Sequence, residues 1–460
     1  MNLIGVTAPN LPKLMSVAFG VLLLAGCAAQ PTSLSGAGST APVATQMARS
    51  GWIATYADDP SVAAATRNIL SRELDADTAV RLMFLTNTAL QRRYLEYRID
   101  PARIAEAATR SHGSGPLELQ IATEIMGSVR RAGNQVDALK FEGVRLDVAA
   151  DFVRAALDVR RAYIAAVAAK RNAELSLDLK TAAEASAELS RRMARVGNWP
   201  RINEFKEAAA LGEVSVQAGK TRQAAVAARE RLTRLLGLSG ELAVYKLPSV
   251  LAPLPSEPAA SENPDSSVLV KRLDLRAQLF DIAAEVRDLE IEGFGDGALL
   301  TSARFVSLPG VMSLSGEITK DVRVPIYDLS VQSGSSRSAD MMGSLTRLSS
   351  AVVQAEADLR ESEMGRRTAY DIAAYQTREA VPLYVRMLDD ATLRYNGMLI
   401  GVFDLLAAAR ARTTAEMAAA EALRDYWISA ADSINALLVG GFVSTAAAAE
   451  VSPSGAPAQH

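Results

Sequence analysis

VAADFVRAALDVRRAYIAAVAAK, residues 148–170, decides how the chain folds. Val148, Phe152, Ala156, Val159, Tyr163 and Val167 recur at steps of four and three, which places them on one face of an α-helix. Asp151, Arg154, Asp158, Arg161 and Lys170 lie off that face. The pattern holds from about residue 137 to 196, so a single helix there spans roughly 90 Å at 1.5 Å per residue. Gly197-Asn198-Trp199-Pro200 ends it, and Pro200 suits the first turn of the next helix. That helix runs to Leu235-Leu236-Gly237, where glycine supplies a stop. The second half repeats the plan at an offset near 200 residues: a long helical pattern from about Ser338 to Tyr395-Asn396-Gly397, then a helix from Val402 to Leu438-Val439-Gly440. Pro382, inside the second long helix, predicts a kink or local break.

Composition agrees with long Ala/Leu-rich helices. Of 460 residues 49% are hydrophobic but only 5% aromatic, which argues against a large β-sandwich or an aromatic-rich enzyme core. One Cys and two His exclude a disulfide framework and a Cys/His zinc cluster. With 49 Lys+Arg against 52 Asp+Glu, a net charge of −3, the chain lacks the basic excess of a general nucleic-acid binder. A hairpin of this length with a narrow Ala-rich stripe cannot bury that stripe alone and must pack against like hairpins.

The N-terminus carries the one long apolar run. Residues 14–24 follow Lys13, too few to span a bilayer and suited to a signal peptide. Leu24-Ala25-Gly26-Cys27 resembles a bacterial lipobox, in which Cys27 is acylated and becomes the first mature residue; the alternative is an ordinary signal peptide with a stray Cys. Ala28, rather than Asp, implies sorting to the outer membrane. The expected organisation is a signal peptide over 1–26, a lipid-anchored flexible leader over 27–58, and a first repeat over 59–240. A Pro-rich linker over 241–267, a second repeat over 268–441 and a disordered tail over 442–460 follow.

Strand patterns fall at a corresponding place in each repeat, about 116–139 and 299–327. In residues 117–125 Leu, Leu, Ile, Thr and Ile face one way, opposite Glu118, Gln120 and Glu124. Such strands serve an outer-membrane barrel or, equally, an ordinary half-buried sheet. If they enter a membrane, one chain's four strands cannot close a barrel, and several copies must contribute. No catalytic constellation is present: His112 sits in a loop, His460 is terminal, and no phosphate-cradling glycine loop follows a strand. The chain is therefore expected to be no enzyme and to need no cofactor. Met341-Met342 and Met398 read as packing material before they read as soft-metal ligands.

Several motifs, in order, resemble the TolC family of outer-membrane efflux proteins. They are ALDVRRAY at 156–163, RVGN at 195–198 and RLTRLLGL at 231–238 in the first half. RLDLRA at 272–277, VPIYD at 324–328, and YNG at 395–397 followed by DLLAA at 404–408 complete the set. The resemblance spans roughly residues 60–441. It implies a mainly α fold with a small β part: two repeats of long helical hairpin plus β-hairpin, and a homotrimer forming a twelve-stranded β-barrel and an α-helical tunnel. It also implies a lipid-anchored exit duct in the bacterial outer membrane, reaching into the periplasm. The implied partners are a periplasmic adaptor (membrane fusion) protein and an inner-membrane pump, with no role for nucleic acid. Tyr395 and Asp404, nine residues apart, match a tyrosine and an aspartate of the tunnel constriction. A family arginine corresponds to Ile400, a second aspartate to Ala407, and the intervening glycine is displaced by one. Three Asp404 carboxylates in a ring would favour cations; alternatively Asp404 is a solvated acid at a helix N-terminus. The tips, Gly197, Asn198 and Trp199 with Gly397, Met398 and Leu399, are the adaptor-docking points the resemblance implies. The other reading is that Trp199, Met398, Leu399 and Ile400 pack against neighbouring hairpins. A competing view of the whole chain is a periplasmic coiled-hairpin structural lipoprotein without a pore.

Overall fold

Asp59, Asp75, Asn87 and Asp100 each turn a side-chain oxygen onto the free amides at the start of a helix, a cap that stabilises by about 1 kcal/mol. Four short helices follow: α1 (Pro60–Leu70), α2 (Ala76–Thr86), α3 (Thr88–Glu96) and α4 (Pro101–Thr109). The computed structural model describes residues 59–110, 115–127, 138–258, 271–291, 304–308, 322–326 and 336–440. The segments expected to be signal peptide, leader and tail, with Cys27 and His112, lie outside them, as do the side chains of Met341 and Met342.

Residues Leu117–Gly127 form a helix, α5, and not the strand the alternation suggested. The same letters carry two periods, and the helical one wins. Glu118, Ile121, Ala122, Ile125 and Met126, at steps of three, one, three and one, are the buried set. Glu118, expected on a polar outer face, is 1% exposed. Arg160 reaches it through Nε and places Nη2 2.7 Å from Asp77 Oδ1, so the buried carboxylate is paired.

The long hairpins follow. α6 (Ala138–Arg195) turns into α7 (Arg201–Leu236), which stops at Gly237 in the left-handed conformation, φ 71°. Only glycine fits there, since a Cβ would meet the Thr86 carbonyl oxygen. α8 (Leu273–Ile291) precedes an antiparallel pair, β1 (Arg304–Leu308) with β2 (Val322–Ile326), in the register Val306 opposite Val324. α9 (Ser336–Tyr375) then passes through a π-turn, Gln376–Ala380, into α10 (Val381–Asn396), and α11 (Val402–Leu438) returns. The π-turn is the break expected at Pro382. Proline supplies no N–H to the carbonyl four residues back, and a wider turn absorbs the defect.

One core joins α1–α5 to the first half of α6, the end of α7, α8 and the end of α11. Beyond Lys170 that core ends. α7 buries only Leu232, Thr233 and Leu236, and α10 buries nothing. The hairpin shafts are held side by side, α6 against both α7 and α11, and α11 against α9 and α10. Residues 247–258 form an extended strap across them. Pro248, Pro253, Pro255 and Pro258 give up their N–H groups, so the strap offers mainly carbonyls, and helix side chains donate to them. Lys170 Nζ bonds Leu247 O at 2.9 Å, Trp427 Nε1 bonds Ala252 O at 3.0 Å, and Tyr370 Oη bonds Ser256 O at 2.8 Å.

Candidate functional site

The two hairpin turns are built on one hydrogen-bond plan. In the first, Asn198 N–H donates to Met193 O at 3.0 Å around a left-handed Gly197, φ 77°. In the second, Leu399 N–H donates to Arg394 O at 2.8 Å around a left-handed Met398, φ 57°. Glycine sits one residue early in the second turn, at Gly397, with φ −80°. The left-handed position therefore falls to a Met at a cost of about 1–2 kcal/mol. Its side chain is 93% exposed, and that of Leu399 77%. Met398 therefore packs against no other described part of its own chain.

Trp199 behaves differently. Its indole stacks on Phe403, at the start of α11, with ring centroids 4.7 Å apart and planes at 22°. Trp199 and Ile400 are half-buried, so of the four apolar tip residues these two pack within the chain while Met398 and Leu399 face out. The Trp199 Nε1–H is buried without an acceptor among the described residues. Leaving such a donor unmet costs about 1–3 kcal/mol. The unmet donor offsets part of what the stack contributes.

From this stack a polar seam climbs between α6 and α11. Arg410 Nη2 and Ser186 Oγ both donate to Glu207 Oε2, at 3.0 and 2.6 Å, tying α11, α6 and α7 at one point. Higher up Arg171 meets Glu416 at 3.4 Å, Asn172 Nδ2 meets Glu421 at 3.1 Å, and Arg161 meets Asp432 at 2.6 Å. Burial pushes the Glu207 carboxyl up, but the Ser186 hydroxyl and the Arg410 guanidinium together hold it below its ordinary value of 4.5. A depressed carboxyl contributes its stability above the unfolded value and loses it as pH falls through the folded one. The Glu207 link is therefore expected to be intact at neutral pH and to loosen below about pH 4.5. Spin labels at Gly212 and Ala407 should show a broadened distance distribution there, and Glu207→Gln should abolish the pH dependence. A distribution unchanged down to pH 3 would contradict it.

Asp404 is exposed, three residues into α11, and its Oδ2 accepts the Gly401 N–H at 3.1 Å. It is thus placed as the second reading has it, an acid in the first turn of a helix. Tyr395, in the last turn of α10, is 40% exposed and gives its carbonyl to Met398 N–H at 2.9 Å. The structure thus gathers Gly197, Asn198, Trp199, Tyr395, Gly397, Met398, Leu399 and Asp404 at the two adjoining turns. Sequence reasoning missed Phe403, Ser186, Glu207 and Arg410. Phe403 was signalled by its rarity, an aromatic beside a turn in a chain with 5% aromatics. The others look like any solvated helix residues until the hairpins are docked. Among the described residues no group of His, Cys, Asp and Glu is placed to hold a metal, and no helix is long and apolar enough to cross a membrane.

Neither a protein-family model nor a curated protein sequence matches the chain. Solved structures do. The Campylobacter jejuni CmeC outer membrane channel superposes with a TM-score of 0.51 at 12% identity, covering 79% of this chain and 85% of that one. A membrane protein from Pseudomonas aeruginosa (TM-score 0.49, 16% identity, 84% and 95% covered) was also found. So was the open state of the Neisseria gonorrhoeae MtrE outer membrane channel (0.46, 16%, 79% and 88%). At these identities the CmeC likeness establishes the fold. The TolC-like arrangement of helices expected from the motifs is the one observed.

Proposed function

We propose, from the fold shared with an outer membrane channel, that three copies of this chain form an outer-membrane efflux duct. It would pass substrate from an inner-membrane pump and a periplasmic adaptor to the exterior. One observation carries the reading. The shaft helices pack in the order α7–α6–α11–α10, an arc with two open edges, and both edges carry exposed apolar residues among charged ones. Ile202, Phe205, Val216 and Val226 lie on α7, and Leu383, Met387 and Leu393 on α10. Unlike edges on one chain make a head-to-tail interface, which closes into a ring when the rotation fits. Three copies, the number the resemblance implies, give twelve helices around a tunnel. β1 and β2 of each chain, with neighbouring segments, would close one barrel, since an open sheet edge is not tolerated in lipid. Leu117–Gly127, being helical, is not among its strands.

Phe205, early in α7, and Leu393, late in α10, stand at similar heights above the tips. A Phe205→Cys, Leu393→Cys variant is expected to oxidise into linked dimers and trimers, with no larger species. Monomers alone, as from a structural lipoprotein without a pore, would contradict the ring. In the ring, three Asp404 carboxylates at the tip would favour cations. Asp404→Asn keeps an oxygen for the Gly401 amide and removes the charge, so cation over anion permeability should fall at a cost of at most about 1 kcal/mol at the helix N-terminus. Unchanged reversal potentials in a salt gradient would eliminate the charged ring. The exposed Met398 and Leu399 would meet the adaptor. Cys27 would carry the lipid: Cys27→Ser should abolish incorporation of labelled palmitate, and label retained by the variant would rule out that anchor.

A further inference from the structure

Under the strap, between the two repeats, lies a cavity of about 330 Å³ that the duct reading does not use. Its walls come from α6, the strap, the π-turn region and α11 of one chain. One side is apolar: Val250 and Leu251 of the strap, Val381 after the π-turn, and Ala419, Ala420 and Leu423 of α11. The other side carries Arg171, Arg412 and Glu416. Both guanidiniums share the one carboxylate, Arg412 Nε at 2.9 Å from Glu416 Oε1 and Arg171 Nη2 at 3.4 Å from Oε2. Arg171 and Lys170 also share Glu174, each at 3.9 Å. Among the lining residues two guanidiniums thus face one carboxylate, an excess of one positive charge. Arg412 spends only Nε on Glu416, and among the described residues its terminal nitrogens have no other partner. Thr377, in the wall, belongs to the π-turn.

We propose that this cavity binds an amphipathic monoanion, a single medium-length alkyl chain ending in a carboxylate, with the chain against Leu251, Val381 and Leu423 and the head on Arg412 and Arg171. The volume sits at the lower end of small-molecule sites, about 300–1,000 Å³, which selects one alkyl chain over a two-chain lipid. The charge excess selects an acid over an alcohol, and a planar guanidinium offers paired N–H groups to a carboxylate. Bound there, the ligand would touch the strap and both repeats. The site stands independently of the duct reading, since every wall residue belongs to one chain and binding is measured without conductance.

The test is equilibrium dialysis of radiolabelled decanoate against the full chain in lipid nanodiscs, with empty nanodiscs subtracted and decan-1-ol as the uncharged control. Saturable uptake of one decanoate per chain is expected. Arg412→Gln and Arg171→Gln should each weaken it about tenfold, and decan-1-ol should bind at least tenfold more weakly. Ala420→Phe fills the apolar side and leaves every ion pair in place, so it should abolish uptake even where an arginine variant folds poorly. Uptake that does not saturate, that equals that of decan-1-ol, or that survives Ala420→Phe would overturn the site.

Discussion

Arg160→Met is expected to destabilise the helical body by about 3–5 kcal/mol, the cost of leaving a buried carboxylate without its partner. Glu118 is 1% exposed, and Arg160 is its ion-pair partner. Burial works against the Arg160 charge, yet Glu118 and Asp77 hold its guanidinium above the ordinary value. The variant should melt well below the parent when followed by circular dichroism. Adding Glu118→Leu should recover most of the loss, because replacing both partners by apolar groups removes the stranded charge. Asp77, more than half exposed, stays hydrated in either case and contributes little to the difference. A single variant that melts with the parent would mean that water reaches Glu118, and that α5 is not seated on α6.

Trp199→Ala should have the largest effect on the proposed duct. The Trp199–Phe403 stack is the last tie between the two tips, and its partly exposed rings contribute about 2 kcal/mol. Removing it should shift the balance between joined and parted tips about thirtyfold toward parted. In bilayers the variant is expected to spend far more time in its high-conductance state, and Trp199→Phe should retain most of the parental behaviour. Equal open times in parent and Trp199→Ala would show that the stack holds nothing closed. Glu207 lies further from the tip and is backed by Ser186, so its effect should be smaller and confined to acid pH.

The shafts were legible because a 58-residue helix repeats its pattern many times over, and errors in single positions average out. Their ends were legible for a local reason: Gly197, Pro200, Gly237 and Gly440 have backbone roles that few other residues fill. α5 was misread because eleven residues with apolar positions at 117, 119, 121, 122, 125 and 126 satisfy alternation and helical spacing almost equally. The docking of the buried face onto α6 decides between them, and its Glu118–Arg160 contact joins positions 42 apart. At the tips the sequence showed which residues cluster but not which way they face. Trp199 and Met398 are both apolar residues in a turn. One is turned inward by Phe403, an accident of the second hairpin's register, and the other outward by a glycine displaced by one. The seam was illegible for the same reason, since Glu207 and Arg410 become partners only when the two repeats lie side by side.

Single-channel recording of the purified protein in a planar bilayer tests the central proposal most directly. A heat-resistant trimer that inserts from one side and gives discrete conductance steps, raised in Trp199→Ala, is the expected result. A monomer or dimer that binds the bilayer without conducting, in parent and variant alike, would contradict the duct.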